Sequence, residues 1–224
     1  MPRCQLDHIT VTSPSLEAGA EFVWQTLGAE PQVGGEHPHM GTHNLLLRLG
    51  DALFLEVISP NPDAPAPKRP RWFGLDSLRP DAVPSLSTWV ARTTDIHVTA
   101  GACSEPLGIV EPISRGALNW LITIPADGSV PLNGIGPALI EWQTDIHPAA
   151  KLQDLGLSLL KLELFHSEPE RAARMLSSLD LNCLLSVSPL PSGAAPHLVA
   201  HIDTPHGLRE LPAPNLALQR PLRQ

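Results

Sequence analysis

The 224-residue chain has no tyrosine, and its aromatic share is only 4%. It has three cysteines, Cys4, Cys103 and Cys183, odd in number and far apart. They match neither a disulfide framework nor a Cys-x-x-Cys metal site and read as reduced thiols of a cytoplasmic protein. No run of 18 apolar residues occurs, so no membrane span is expected, and the first residues lack the apolar stretch of a secretory signal. Positive charge is scarce: 15 Lys+Arg stand against 23 Asp+Glu, a net charge of −8. The densest basic cluster is Lys68, Arg69 and Arg71, too thin to track a phosphate backbone, so nucleic acid is not an expected partner. Also missing are a Gly-x-Ser-x-Gly nucleophile turn and a phosphate-cradling glycine loop, which argues against nucleophilic and nucleotide chemistry.

What is present is proline, 25 residues of it, together with short apolar runs. Many short elements are therefore expected, and long helices are not. Leu6–Val11 reads as a strand. Ser13-Pro14 then opens a helix whose stripe is Leu16, Ala20, Val23 and Leu27, with Gly28 at its stop. A strand near Gln32–Glu36 is followed by Thr42–Leu49 and Ala52–Ser59, turning at Gly50-Asp51. The order is β-α-β-β-β. Five prolines between residues 60 and 70 then make a stiff loop, and the apolar Trp72 and Phe73 behind it are expected to fold back onto the body.

The order repeats. Thr88–Thr93 reads as a strand, Thr94-Asp95 starts a short helix ending before Pro106, and strands Gly108–Ser114, Leu118–Ile124 and Ala138–Thr144 follow. A third pass runs through a strand at Leu157–Phe165 and a capping box at Ser167-Glu168-Pro169-Glu170. Its helix stripe is Ala172, Met175, Leu176 and Leu179. Strands near Cys183–Ser188, His197–Asp203 and Gly207–Leu211 complete it. A repeat of roughly fifty residues divides the chain into a first unit (1–60), a connecting loop (61–86), a second unit (87–150) and a third (151–224). The fold class expected is α+β, built from repeated βαβββ units with curved mixed sheets around a concave site.

Each unit ends with one glutamate inside an apolar strand: Glu56, Glu141 and Glu210. A carboxylate in such a setting costs several kcal/mol unless it is paired or bound to metal. Alternation places His8 with Leu6 and Thr10 on one strand face, and Glu56 with Phe54 and Ile58 on another. A curved sheet could bring His8 and Glu56 together. The blander alternatives are a core histidine at His8, Glu56 paired to Arg48 or Arg92, and Arg115 as a solvated turn residue. His37 and His39, around Pro38, read as exposed loop residues, and the histidines from His97 onward form no cluster.

Asp7-His8-Ile9 opening a βαβββ unit, with a glutamate in the last strand and a second unit ending likewise, resembles the vicinal oxygen chelate superfamily. That superfamily includes glyoxalase I, extradiol dioxygenases and fosfomycin- or bleomycin-resistance proteins. The stretches His37–Asn44, Pro70–Asp76 and Ser114-Arg115-Gly116 are similar to its glyoxalase-like domain group. The resemblance implies that the first two units pair around a divalent metal (Zn, Ni, Mn or Fe) held by His8, Glu56 and Glu141, with Thr88 a poor residue for the fourth position. Glu141 is then the first candidate for a general base. His43, Asn44, Trp72 and Arg115 are the candidate substrate contacts, with Arg115 suited to a carboxylate or phosphate, and His43 a further possible ligand. Pairing of the first and third units instead would gather His8, Glu56, Glu163 and Glu210. The implied activity is a metal-dependent lyase, isomerase or dioxygenase acting on a small vicinal-oxygen compound. A metal-free binding or resistance protein with the same cavity is the alternative, and a homodimer through the third unit is a further possibility.

Overall fold

The computed structural model describes residues 4–181 and 184–212. Cys183, where a strand of the third unit is expected to start, lies outside them. The first unit runs β1 (Gln5–Thr12), α1 (Leu16–Leu27), β2 (Gln32–His37), β3 (Thr42–Gly50) and β4 (Leu53–Pro60). The second runs β5 (Ser85–Arg92), α2 (Ile96–Ala102), β6 (Ile109–Arg115), β7 (Leu118–Ile124), the one-turn α3 (Pro131–Gly134) and β8 (Ala138–Trp142). The third runs β9 (Ser158–His166), α4 (Pro169–Ser178), β10 (Leu185–Pro189), β11 (His197–Thr204) and β12 (Gly207–Leu211).

Strand-by-strand pairing shows how the units join. One eight-stranded sheet has the order β2-β3-β4-β1-β5-β8-β7-β6, and a separate four-stranded sheet has the order β10-β9-β11-β12. The first two units meet where β1 runs antiparallel to β5. Within each unit the first and last strands are parallel, β1 with β4 and β5 with β8.

Local chemistry sets the element ends, with two departures from expectation. Helix α1 is capped by Ser15, whose hydroxyl accepts from the Ala18 N–H, while Ser13 instead donates to the Ser15 carbonyl. Pro14 therefore precedes the cap. Gly28 ends the helix in the left-handed region at φ 71°, where a Cβ is disfavoured. At α4 the expected capping box does not form. Glu168 occupies the cap position without a side-chain bond to the helix backbone, and nearby His166 takes the Glu168 N–H through Nδ1.

The convex side of the large sheet carries the main core. Ile9, Val11, Leu55, Val57, Trp89 and Leu139 pack there under α1 and α2, in one cluster with Leu162, Leu164, Met175 and Ala200 of the third unit. The third unit thus covers the back of the paired sheet, and Arg171 of α4 clamps it bidentately to Glu105. A second apolar cluster, including Met40, Ile58, Trp72, Leu75, Val90, Trp120 and Ile140, lies on the concave side. Trp72 and Leu75 reach it from a 3-10 turn at Trp72–Ser77. Arg71 pins that turn by donating to Asp76 and to the Gly41 carbonyl, and Arg69 bridges to Glu111 of β6. The proline-rich loop is held down and forms a wall. No helix among the described residues is long and apolar enough to cross a membrane.

Candidate active site

The concave side holds a cleft lined by His8, His37, Asn44, Phe54, Glu56, Trp72, Arg115, Trp120 and Trp142 among others. It spans about 380 Å³ counting its open mouth, and the enclosed part is small. Its polar side chains form a continuous network.

The network begins at a bulge. Pairing of β1 with β5 shifts register between Leu6 and His8, so Asp7 is the extra residue. A bulge re-aims a side chain and breaks strict alternation, which lets Asp7 bond to its own neighbour. Asp7 Oδ1 lies 2.6 Å from His8 Nδ1. Its Oδ2 accepts from Trp142 Nε1 and His147 Nε2, both at 2.9 Å, and Arg92 stands 3.7 Å away. Asp7 is fully buried, which alone would raise its pKa, but the bonds from His147 and His8 hold it far below the usual carboxylate range.

An ionised carboxylate can only accept, so His8 Nδ1 carries a proton and Nε2 is the atom left for chemistry. That Nε2 is 3.7 Å from Glu56 Oε2. The ring is stacked on Phe54 with centroids 4.5 Å apart, which fixes its plane. Glu56 is buried and accepts from Asn44 Nδ2 at 2.6 Å and from the Thr10 hydroxyl at 3.3 Å. Neither Arg48 nor Arg92 pairs with it: Arg48 binds Asp51, and Arg92 binds the Ala52 carbonyl and Gln5.

From the second unit, Arg115 reaches across to Asn44 Oδ1 (2.9 Å) and His37 Nε2 (3.3 Å). Because Arg115 can only donate, His37 Nε2 accepts, and the His37 proton sits on Nδ1 facing Thr42. Burial, reinforced by the Arg115 charge, pulls the His37 pKa down to about 3, so His37 is neutral. Burial also lowers the Arg115 pKa, against the opposing pull of Glu56. Gly34 and Gly35 of β2 make room for this contact. A methyl on Gly34 would overlap Asn44 Oδ1, and one on Gly35 would press on Arg115 Cδ.

The structure gathers His8, Asn44, Glu56, Trp72 and Arg115 in one cleft and leaves two expected residues out. Glu141 points to the convex side, where its carboxylate accepts from the Ile96 N–H of α2 at 2.8 Å and from Gln143. The concave positions of β8 are Ala138, Ile140 and Trp142. His43 neighbours the cleft residue Asn44 and alternates out of it, against Glu36 of β2. Glu163 and Glu210 flank His201 in the second sheet, apart from His8 and Glu56. Conversely, three cleft-network residues were not legible as such. Asp7 was hidden by the bulge. His37, read as an exposed loop residue, is buried at the end of β2. His147 approaches from the loop after β8 with no local signal.

A divalent metal was implied by family resemblance, and the donor set tests it. Of the four expected ligand positions, all within the described residues, only His8 and Glu56 carry ligands facing the cleft, since β8 offers none and Thr88, a buried hydroxyl without a partner, is a poor one. Both Glu56 oxygens are already engaged, and a guanidinium sits next door. Among the described residues no group of three or more His, Cys, Asp or Glu side chains could hold a metal ion. Catalytic metal sites of this borderline kind use about three protein ligands. The residues present do not fit the metal.

Two βαβββ units joined into one curved sheet, with the polar network on its concave side, define a protein of the vicinal oxygen chelate type. The family model described as "Glyoxalase-like domain" matches residues 6–179, and the chain belongs to that family. Similar solved structures include a hypothetical protein from Staphylococcus aureus, with TM-score 0.55, 13% identity, and coverage of 94% of this chain and 88% of that one. A variant of 4-hydroxymandelate synthase from Streptomyces coelicolor has TM-score 0.50 and 16% identity, covering 97% of this chain and 64% of that one. At such identities the likeness is one of fold. No curated protein matches the sequence significantly.

Proposed function

We propose that the cleft moves a proton on a small oxygenated carbonyl compound without a metal, which makes the protein an isomerase or lyase. The observation that carries this reading is the 2.6 Å bond from His8 Nδ1 to buried Asp7, which leaves Nε2 as a base facing the cleft. In the reaction, the C–H bond next to the carbonyl breaks and its proton goes to Nε2. The electron pair moves onto the carbonyl oxygen as an enolate. The new imidazolium lies between two carboxylates, Asp7 and Glu56. Arg115 supplies the positive pole for the developing oxyanion, the role a metal would otherwise fill. Return of the proton to carbon completes an isomerisation, and loss of a leaving group completes an elimination.

The test is deuterium incorporation followed by proton NMR. Chelator-treated protein is incubated in D2O with a panel of small 2-hydroxy and 2-oxo carbonyl compounds. Catalysed exchange at the adjacent carbon, lost in His8→Gln, is expected. A panel in which no compound exchanges, or exchange that persists in His8→Gln, overturns the reading. Saturable binding without exchange would instead assign the cleft to a metal-free binding protein, the reading that the fully engaged Glu56 oxygens also permit.

A further inference from the structure

Resting on the site proposed above, we infer that its ligand carries a monoanionic carboxylate, taken by Arg115 and Trp72 opposite His8. Two independent observations point there. Among the described residues Arg115 is bonded through Nη1 alone, so its Nε and Nη2 donors are open while the guanidinium itself is held in place by Asn44. Trp72 is 3% exposed and lines the cleft, and its indole N–H is buried with no acceptor. A buried donor without a partner is costly, and natural proteins rarely leave one unless something else satisfies it.

The chemistry of the lining narrows the class. An arginine fork fits a planar carboxylate bidentately, and the remaining walls are largely apolar, with rings from Phe54, Trp120 and Trp142 beside Leu46 and Ile140. Glu56 lies in the same network, one Asn44 side chain from Arg115. The planar fork matches a carboxylate better than a tetrahedral phosphate, whose second charge would already stand near Glu56 in the resting complex. The enclosed part of the cleft is much smaller than the usual small-molecule pocket, which restricts the ligand to a few heavy atoms. A small 2-hydroxy or 2-oxo carboxylate satisfies each condition and presents its carbonyl-adjacent C–H toward His8.

The experiment is a titration of the chelator-treated full chain with glycolate, glycolamide and inorganic phosphate, read by tryptophan fluorescence and isothermal calorimetry. Glycolate should bind saturably, with its neutral amide about tenfold weaker or worse, since the amide leaves the guanidinium charge unmatched. Arg115→Gln should lose about tenfold or more in glycolate affinity and Trp72→Phe roughly two- to fivefold, both keeping a wild-type circular dichroism spectrum. His8→Gln should bind within about threefold of the parent, so a failed base and a failed anion receptor give different results. Equal affinity for glycolate and glycolamide, tighter binding of phosphate, no binding of glycolate, or no loss in folded Arg115→Gln and Trp72→Phe would each overturn the inference.

Discussion

Glu56 and Glu141 stand in the last strands of two units with the same element order, and they do opposite work. Glu56 shares the concave face with Phe54 and Ile58 and joins the network of His8, Asn44 and Thr10. Glu141 is flanked by Ile140 and Trp142, which take that face instead, and it caps the start of α2 from behind. The difference is one residue of strand parity, enough to turn every side chain of a strand over. Similar sequence context therefore does not give similar chemistry. The first unit supplies the ionisable groups Asp7, His8, His37 and Glu56. The second supplies Arg115, His147 and apolar walls.

The largest expected effect comes from breaking the network at its hub. Asp7→Ala leaves the buried donors of His8, His147 and Trp142 without an acceptor and should cost about 3–5 kcal/mol, measured by urea unfolding. Next, the two glutamates should separate cleanly. Glu56→Ala should cost roughly 1–3 kcal/mol, by leaving Asn44 and Thr10 unpaired, and should abolish catalysed exchange. Glu141→Ala should cost about 1 kcal/mol through the lost cap and leave exchange within about twofold. Matching losses of exchange in both variants would erase the contrast.

Acid sensitivity sharpens the comparison further, because His37 also belongs to the first unit. Its value is about 3 in the folded protein against an ordinary 6.5. The unfolded chain therefore binds a proton below pH 6.5 that the folded chain refuses until near pH 3. Stability should fall as pH drops through that window, by up to about 1.4 kcal/mol per unit. His43, also lowered by burial, adds in the same direction. His37→Asn should flatten the slope between about pH 6.5 and 5.5, above the range where most unfolded carboxylates titrate. The smallest effect is expected of His147→Gln. Its amide can still donate to Asp7, so a loss of under about 1 kcal/mol is expected, with exchange largely kept.

Much of the fold was legible because βαβββ order, helix stops and the break at prolines 60–70 are local signals. His8 and Glu56 stood out for a physical reason: polar groups inside apolar strands need partners. The parts that were not legible depend on events that local pattern does not encode. A bulge at Asp7 put two successive residues of β1 in one network. Another in β2, between Val33 and Gly35, together with two glycines, let His37 and Asn44 approach Arg115. Glu141 was misplaced because the repeat suggested equivalence while strand pairing decided the face. The partnership of Asp7 with His147 joins residues 140 apart, and only the folded chain brings them together.

The most direct test of the account is deuterium exchange by chelator-treated Glu56→Gln and Glu141→Gln, side by side with the parent. Glu141→Gln should exchange at the parent rate, and Glu56→Gln should fall by about a hundredfold or more, as expected for removal of a charge that stabilises the imidazolium. Equal rates in the two variants, or recovery of Glu56→Gln only when a divalent metal is added, would contradict it.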